Sequence, residues 1–78
     1  MSMRVAVLGA GSWGTTVAHL CAFNAPTTIY ARRTDVADAI NERHENPAYL
    51  AGYQLHPELK ASDDLAAVVR DADLLVMG

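Results

Sequence analysis

The chain has 78 residues, half of them hydrophobic (51%) and 19% charged, which is ordinary globular composition at a length that allows one domain. Six basic side chains stand against nine acidic ones and no basic run exceeds Arg32-Arg33, which excludes nucleic acid and anionic membrane surfaces as partners. The single cysteine, Cys21, excludes an internal disulfide and a zinc framework and points to a reducing, cytoplasmic setting.

Met1 to Leu8 holds one basic residue and a short apolar run, too little for a secretory leader or a membrane span. Within it, Arg4 to Leu8 is a β-branched apolar run closed by glycine, the pattern of a strand buried on both faces of a parallel sheet. A helix is expected from Trp13 to Phe23, with Val17, Ala18, Leu20 and Cys21 turned inward and Asn24-Ala25-Pro26 as its stop signal. Thr27 to Ala31 reads as the second strand. Thr34 is then placed to cap a helix carrying Val36, Ala37 and Ile40 inward.

Glu45 to Pro57 has two prolines, a glycine and no period, so it reads as an irregular excursion, and excursions of that length are usually functional. A short strand is expected near Leu59-Lys60-Ala61. Ser62 is expected to cap a third helix whose Leu65, Val68 and Val69 face inward, with Asp63 and Asp64 at its positive end. Asp73 to Met77 is the last strand and reads as buried. An apolar strand closing a chain leaves an undefended edge, so the sequence reads as the first half of a larger fold. Strands alternating with helices specify a Rossmann-like, doubly wound parallel α/β sheet.

The chemistry sits in Gly9-x-Gly11-x-x-Gly14. In the dinucleotide-binding turn the first glycine permits the tight bend, the second lets backbone approach a pyrophosphate, and the third lets the helix pack on the sheet. The helix start then offers unpaired N–H groups, around Ser12 and Trp13, and a dipole that favours negative charge. The motif alone also occurs in flavin and methyl-donor sites; here it follows a predicted strand and opens a predicted helix, which is the context that gives it meaning.

At the end of the second strand an unphosphorylated cofactor ribose normally meets Asp or Glu. This chain has Arg32 and Arg33, which suit a 2′-phosphate and favour NADP(H), with NAD(H) remaining open. Asp35 is close enough to be a rival acidic ligand, but its place at the start of the next helix is accounted for by the helix dipole.

Gly9-Ala-Gly-Ser-Trp-Gly14, followed by Thr15, resembles the corresponding turn of bacterial NAD(P)-dependent glycerol-3-phosphate dehydrogenases. Tyr30-Ala-Arg-Arg33 resembles the end of that family's second strand. Asn41 to Gly52, with Asn46, Tyr49, Leu50 and Gly52, resembles its segment N-x-x-x-x-N-x-x-Y-L-P-G, with Ala51 where the family has proline. Leu59 to Val76 is similar to the stretch leading to its fourth strand. The resemblance implies a cytoplasmic oxidoreductase that interconverts dihydroxyacetone phosphate and sn-glycerol 3-phosphate by hydride transfer and supplies glycerophospholipid synthesis. It also implies cofactor contacts at Ser12, Trp13, Arg32 and Arg33. The family's catalytic lysine and helical substrate domain correspond to nothing in residues 1–78, so no catalytic residue is assigned. A homodimer is left open. Two alternatives stand beside this reading: another Rossmann dehydrogenase acting on hydroxy or sugar acids, and a non-catalytic dinucleotide-sensing module.

The remaining candidates have plainer explanations. His19, His44 and His56 lack metal-ligand or carboxylate spacing and read as surface or loop residues, so no metal site is expected. Cys21 reads as a small core residue, Asp63 and Asp64 as helix-start acids, and Tyr49 and Tyr53 as packing residues of the excursion.

Overall fold

A computed structural model describes residues 3–78; Met1 and Ser2, part of the segment read above as too short for a leader, lie outside the described residues. The elements alternate as expected: β1 (Val5–Leu8), α1 (Ser12–Ala22), β2 (Thr27–Tyr30), α2 (Thr34–Arg43), β3 (Lys60–Ser62), α3 (Leu65–Arg70) and β4 (Leu74–Met77). The strands form one four-stranded sheet in the order β3-β2-β1-β4, and every pairing is parallel. That order is the first part of the doubly wound Rossmann arrangement. The chain steps from β1 to β2 to β3 in one direction and then returns to place β4 on the other side of β1, so a topological switch point lies between β1 and β4.

β1 is central and its first three residues are buried, as its uninterrupted apolar run requires. Val7 and Ile29, adjacent in register, are fully buried and meet Ala18, Ile40 and Leu59 in one core. α2 presents Val36, Ala37 and Ile40 to that core, with Ala39 also buried. Asn41, from the same helix, binds the backbone of β3 in both directions: its Nδ2 donates to the Ala61 carbonyl and its Oδ1 accepts from the Ala61 N–H, each at 2.8 Å. A helix side chain thereby occupies hydrogen-bonding groups that an edge strand would otherwise expose.

Several local expectations are corrected. In α1 the buried residues are Gly14, Thr15 and Ala18, with Cys21 and Ala22 packed partly against the core, while Leu20 is exposed. Two residues along a helix is a rotation of about 200°, which sends Leu20 away from the face that holds Ala18. The inward stripe is chosen by close approach of small residues to the sheet rather than by side-chain size. In α3 only Val68 is buried, and Leu65 and Val69 are exposed.

Both threonine and serine caps are displaced as well. The residue before α2 is Arg33, Thr34 lies inside the helix, and the Thr34 hydroxyl donates to Asp63 Oδ2 at 2.7 Å. α3 is capped by Asp64, whose Oδ1 accepts from the Ala67 N–H at 3.1 Å, while Ser62 Oγ accepts from the Asp64 N–H. A carboxylate at that position is the stronger acceptor for a helix start. β4 was expected to be buried, yet Leu74, Leu75 and Met77 are all exposed. Only its pairing side is satisfied, by β1 and by a clasp at its entry, where Asp73 Oδ2 accepts from the Arg4 N–H at 2.9 Å.

The excursion between α2 and β3 is irregular, as its composition predicts, with one isolated antiparallel bridge between Asn46 and Leu50. His44 opens it in the left-handed conformation at φ 57°. The histidines do not all stand apart. His19 Nδ1 accepts from the His56 N–H at 2.8 Å, and Phe23 lies edge-on to both rings, which ties the far end of the excursion to α1. Among the described residues no group of three or more metal-ligating side chains is assembled.

Candidate functional site

The glycine turn lies at the carboxyl end of β1, beside the switch point, where open α/β sheets bind ligands. Its three glycines answer three different demands. Gly9 has φ +120°, a conformation that side-chain-bearing residues rarely adopt, and a Cβ there would also press on the Gly78 carbonyl oxygen. Gly14 is sterically forced: a Cβ on it would run into the carbonyl oxygen of Gly9. Gly11 is under neither constraint. Its backbone is ordinary extended chain at φ −73°, ψ −176°, and a Cβ added to it would meet nothing within 4 Å.

α1 begins directly after Gly11, with no side chain capping it and no acidic residue in its first turn. Its first N–H groups therefore remain available to an anion. Ser12 and Trp13 form that first turn and are exposed, Trp13 by 61%.

The turn is held from beneath by a residue of the excursion. Asn46 is fully buried; its Nδ2 donates to the Ala10 carbonyl at 2.9 Å and to Thr15 Oγ1 at 2.8 Å, and its Oδ1 accepts from the Tyr49 N–H at 3.3 Å. One amide thus fixes the carbonyl between the first two glycines, the start of α1 and the start of its own loop. Gly78 completes the support by donating its N–H to the Leu8 carbonyl at 2.9 Å and packing against Gly9 and Gly14.

Beside the turn opens a cleft of about 380 Å³ lined by Gly9, Ala10, Gly11, Tyr30, Ala31, Arg32, Arg33, Val36 and Tyr49. Four of the residues singled out in the sequence, Gly9, Gly11, Arg32 and Arg33, are brought together there. Ser12, Trp13 and Gly14 lie outside its lining, the first two on the adjoining helix start and Gly14 buried below the turn. Tyr49, read as loop packing, is a wall of the cleft and is exposed, as is Tyr53 away from it.

Asp35 does more than serve the helix dipole. Arg33 Nε donates to its Oδ1 at 3.1 Å and Arg33 Nη2 to its Oδ2 at 2.7 Å. The hydrogen bond from Arg33 holds the Asp35 carboxyl below its ordinary value, and Asp35 in turn raises Arg33. Arg32 has no salt bridge among the described residues.

Asn46, Thr15 and Gly78 are the site residues that sequence reasoning missed as supports of the turn. An asparagine in an aperiodic loop reads as a turn former, and its partners Ala10 and Thr15 lie 36 and 31 residues away. The one signal for Asn46 was its place in the segment of family resemblance.

Fold and turn together define a Rossmann-like α/β unit of the dinucleotide-binding type. A family profile described as NAD-dependent glycerol-3-phosphate dehydrogenase N-terminus matches residues 4–78, and the chain belongs to that family. It is 49% identical over 77 residues to glycerol-3-phosphate dehydrogenase (NAD(P)+) 2 of Sphingopyxis alaskensis, covering 99% of this chain and 23% of that protein. With the glycerol-3-phosphate dehydrogenase (NAD(P)+) of Thermobifida fusca the identity is 46%, over 95% of this chain and 23% of the relative. Among solved structures, glycerol-3-phosphate dehydrogenase of Saccharomyces cerevisiae superposes with a TM-score of 0.90 at 30% identity, over 100% of this chain and 26% of that one. The enzyme of Coxiella burnetii does so at 0.82 and 30%, over 97% and 24%. The chain thus spans about a quarter of the length of the relatives it matches. No helix among the described residues is long and apolar enough to cross a membrane.

Proposed function

We propose that this chain is the cofactor-holding part of a cytoplasmic oxidoreductase that interconverts sn-glycerol 3-phosphate and dihydroxyacetone phosphate and so supplies glycerophospholipid synthesis. Gly11 is the observation that carries the cofactor half of this reading. Neither its backbone angles nor its surroundings call for glycine, so the open space over its α-carbon is explained by a ligand that must come close to the backbone. A pyrophosphate suits that space: it is anionic, and the uncapped N–H groups at Ser12 and Trp13 together with the α1 dipole favour it. Gly9 and Gly14 hold the turn that positions these groups, and Arg32 and Arg33, in the adjoining wall, take the 2′-phosphate and favour NADP(H) over NAD(H).

When bound, the nicotinamide ring supplies the hydride donor or acceptor. The residues of this chain bind and orient the cofactor at the carboxyl ends of the strands. The substrate half of the reading rests on family membership, and no catalytic residue is assigned within residues 1–78. Calorimetric titration of the full-length protein with NADPH and NADH tests the first half, with NADPH expected to bind more tightly; if neither binds, the reading of the turn is wrong. Consumption of NADPH on addition of dihydroxyacetone phosphate tests the second, and a full-length protein that binds the cofactor but does not turn over sinks the substrate assignment.

A further inference from the structure

Arg33 is already engaged. Its Nε and Nη2 face the two oxygens of Asp35 at 3.1 and 2.7 Å, a side-on bidentate pair formed across only two residues of backbone. The helix dipole accounts for an acid in the first turn of α2, but it does not require that the acid clasp the neighbouring guanidinium. Such a clasp has a chemical consequence, because carboxylate and phosphate match the guanidinium fork in the same planar, two-point manner. The fork held by Asp35 is one that a 2′-phosphate entering this wall would use. With Asp35 paired to Arg33, the arginine end presents one uncompensated positive charge, that of Arg32, in place of two.

The geometry points to Asp35 as the residue that sets the choice between 2′-phosphorylated and unphosphorylated dinucleotide, by competing with the 2′-phosphate for Arg33. The inference rests on the reading of Arg32 and Arg33 as the 2′-phosphate contacts. Asp35 is not part of the cleft lining, so it acts through Arg33, as a positioning residue. A 2′-phosphate must either displace the carboxylate or share the remaining N–H donors with a like charge beside it. A cofactor with a free 2′-hydroxyl meets neither obstacle. Asp35 therefore lowers the preference for NADP(H) that two unpaired arginines would create, and leaves the site able to take both forms.

The experiment is calorimetric titration of the full-length protein and its Asp35→Asn, Asp35→Glu, Arg33→Ala and Asp35→Asn/Arg33→Ala variants with NADPH and NADH. Adenosine 2′,5′-bisphosphate and adenosine 5′-monophosphate serve as probes of the adenosine end alone. Asp35→Asn keeps the shape and removes the charge, so NADPH and the bisphosphate are expected to bind about fivefold more tightly, as befits one unit charge removed within a Debye length. NADH and the monophosphate should stay within about twofold. Asp35→Glu should keep the wild-type ratio, and the Asp35→Asn effect should vanish in the Arg33→Ala background. A purely structural role would move both cofactors together, so an equal change in the two overturns the inference, as does a lowered NADPH-to-NADH ratio or an effect that survives without Arg33. If the wild-type protein binds both cofactors and Asp35→Asn leaves their ratio unmoved, Asp35 alone is refuted; if the wild type binds neither, the reading it rests on falls with it.

Discussion

At the glycine turn the glycines meet backbone against backbone, the Gly9 carbonyl against Gly14 and Gly78 against both, over the buried amide of Asn46. At the arginine end of the cleft, a few residues away in space, the determinants are long exposed side chains whose partners are one another, Arg33 with Asp35 above all. In the first region sterics and backbone angle hold Gly9 and Gly14 to glycine, while Gly11 faces open space. The second is set by charges that can exchange partners when an anion arrives. On the proposed reading, the turn binds what all such cofactors share and the arginine end tells them apart.

The comparison is broken most severely by placing one methyl group in two places. Gly14→Ala drives a Cβ into the Gly9 carbonyl oxygen, and separating α1 from β1 to relieve it is expected to destabilise the protein by about 3 kcal/mol, at the upper end for overpacking. Gly11→Ala puts the same methyl into open space. The slight loss of a favourable helix-start residue is offset by reduced freedom of the unfolded chain, so stability should stay within about 0.5 kcal/mol. Affinity for NADPH and NADH should instead fall together, by about tenfold or more, because the methyl occupies the approach to the pyrophosphate. Thermal unfolding and titration on the same two variants read out both effects. Unfolding of Gly11→Ala, or its unchanged affinity, would remove the distinction between the supporting glycines and the ligand-facing one.

Asn46→Ala sharpens the role of the support. It leaves Thr15 Oγ1 and the Ala10 carbonyl without their buried partner, which is expected to destabilise the fold by about 2 kcal/mol. Cofactor affinity should fall for both forms equally, since the turn loosens while the arginine end is untouched. A selective loss of NADPH would show instead that the excursion governs discrimination.

The same contrast explains what was legible in the sequence. Alternating strand and helix patterns and the three glycines disclosed the sheet, its parallel sense and the turn, because each rests on local periodicity or on a backbone requirement that only glycine meets. The two arginines were legible as charge following β2, and both line the cleft. The identity of the caps was not, since Thr34 and Ser62 are as plausible helix starters as Asp64 until tertiary contacts send the Thr34 hydroxyl to Asp63. Leu20 was misplaced because its size suggested burial, whereas the buried face of α1 had been decided by Gly14 and Ala18. The Asn46 bridge depends on what packs across long sequence separations, which periodicity does not encode.

The smallest effect concerns pH. The hydrogen bond from Arg33 holds the Asp35 carboxyl below its ordinary 3.8, so the folded protein favours the charged form. The contribution of the pair is therefore complete above 3.8 and disappears only as the pH falls through the lower folded value, while the raised Arg33 stays protonated throughout. Between about pH 5 and about pH 8 neither partner titrates, and any change in the NADPH-to-NADH affinity ratio must come from the 2′-phosphate itself, whose second ionisation lies near about 6. The ratio should decline by a few-fold toward the acid end as the phosphate loses a charge. The offset between Asp35→Asn and wild type should shrink toward pH 5, because the Asp35 carboxylate opposes a singly charged 2′-phosphate less than a doubly charged one. If the offset stays constant while the phosphate loses a charge, the Asp35 carboxylate does not act against the phosphate and the competition for Arg33 is overturned.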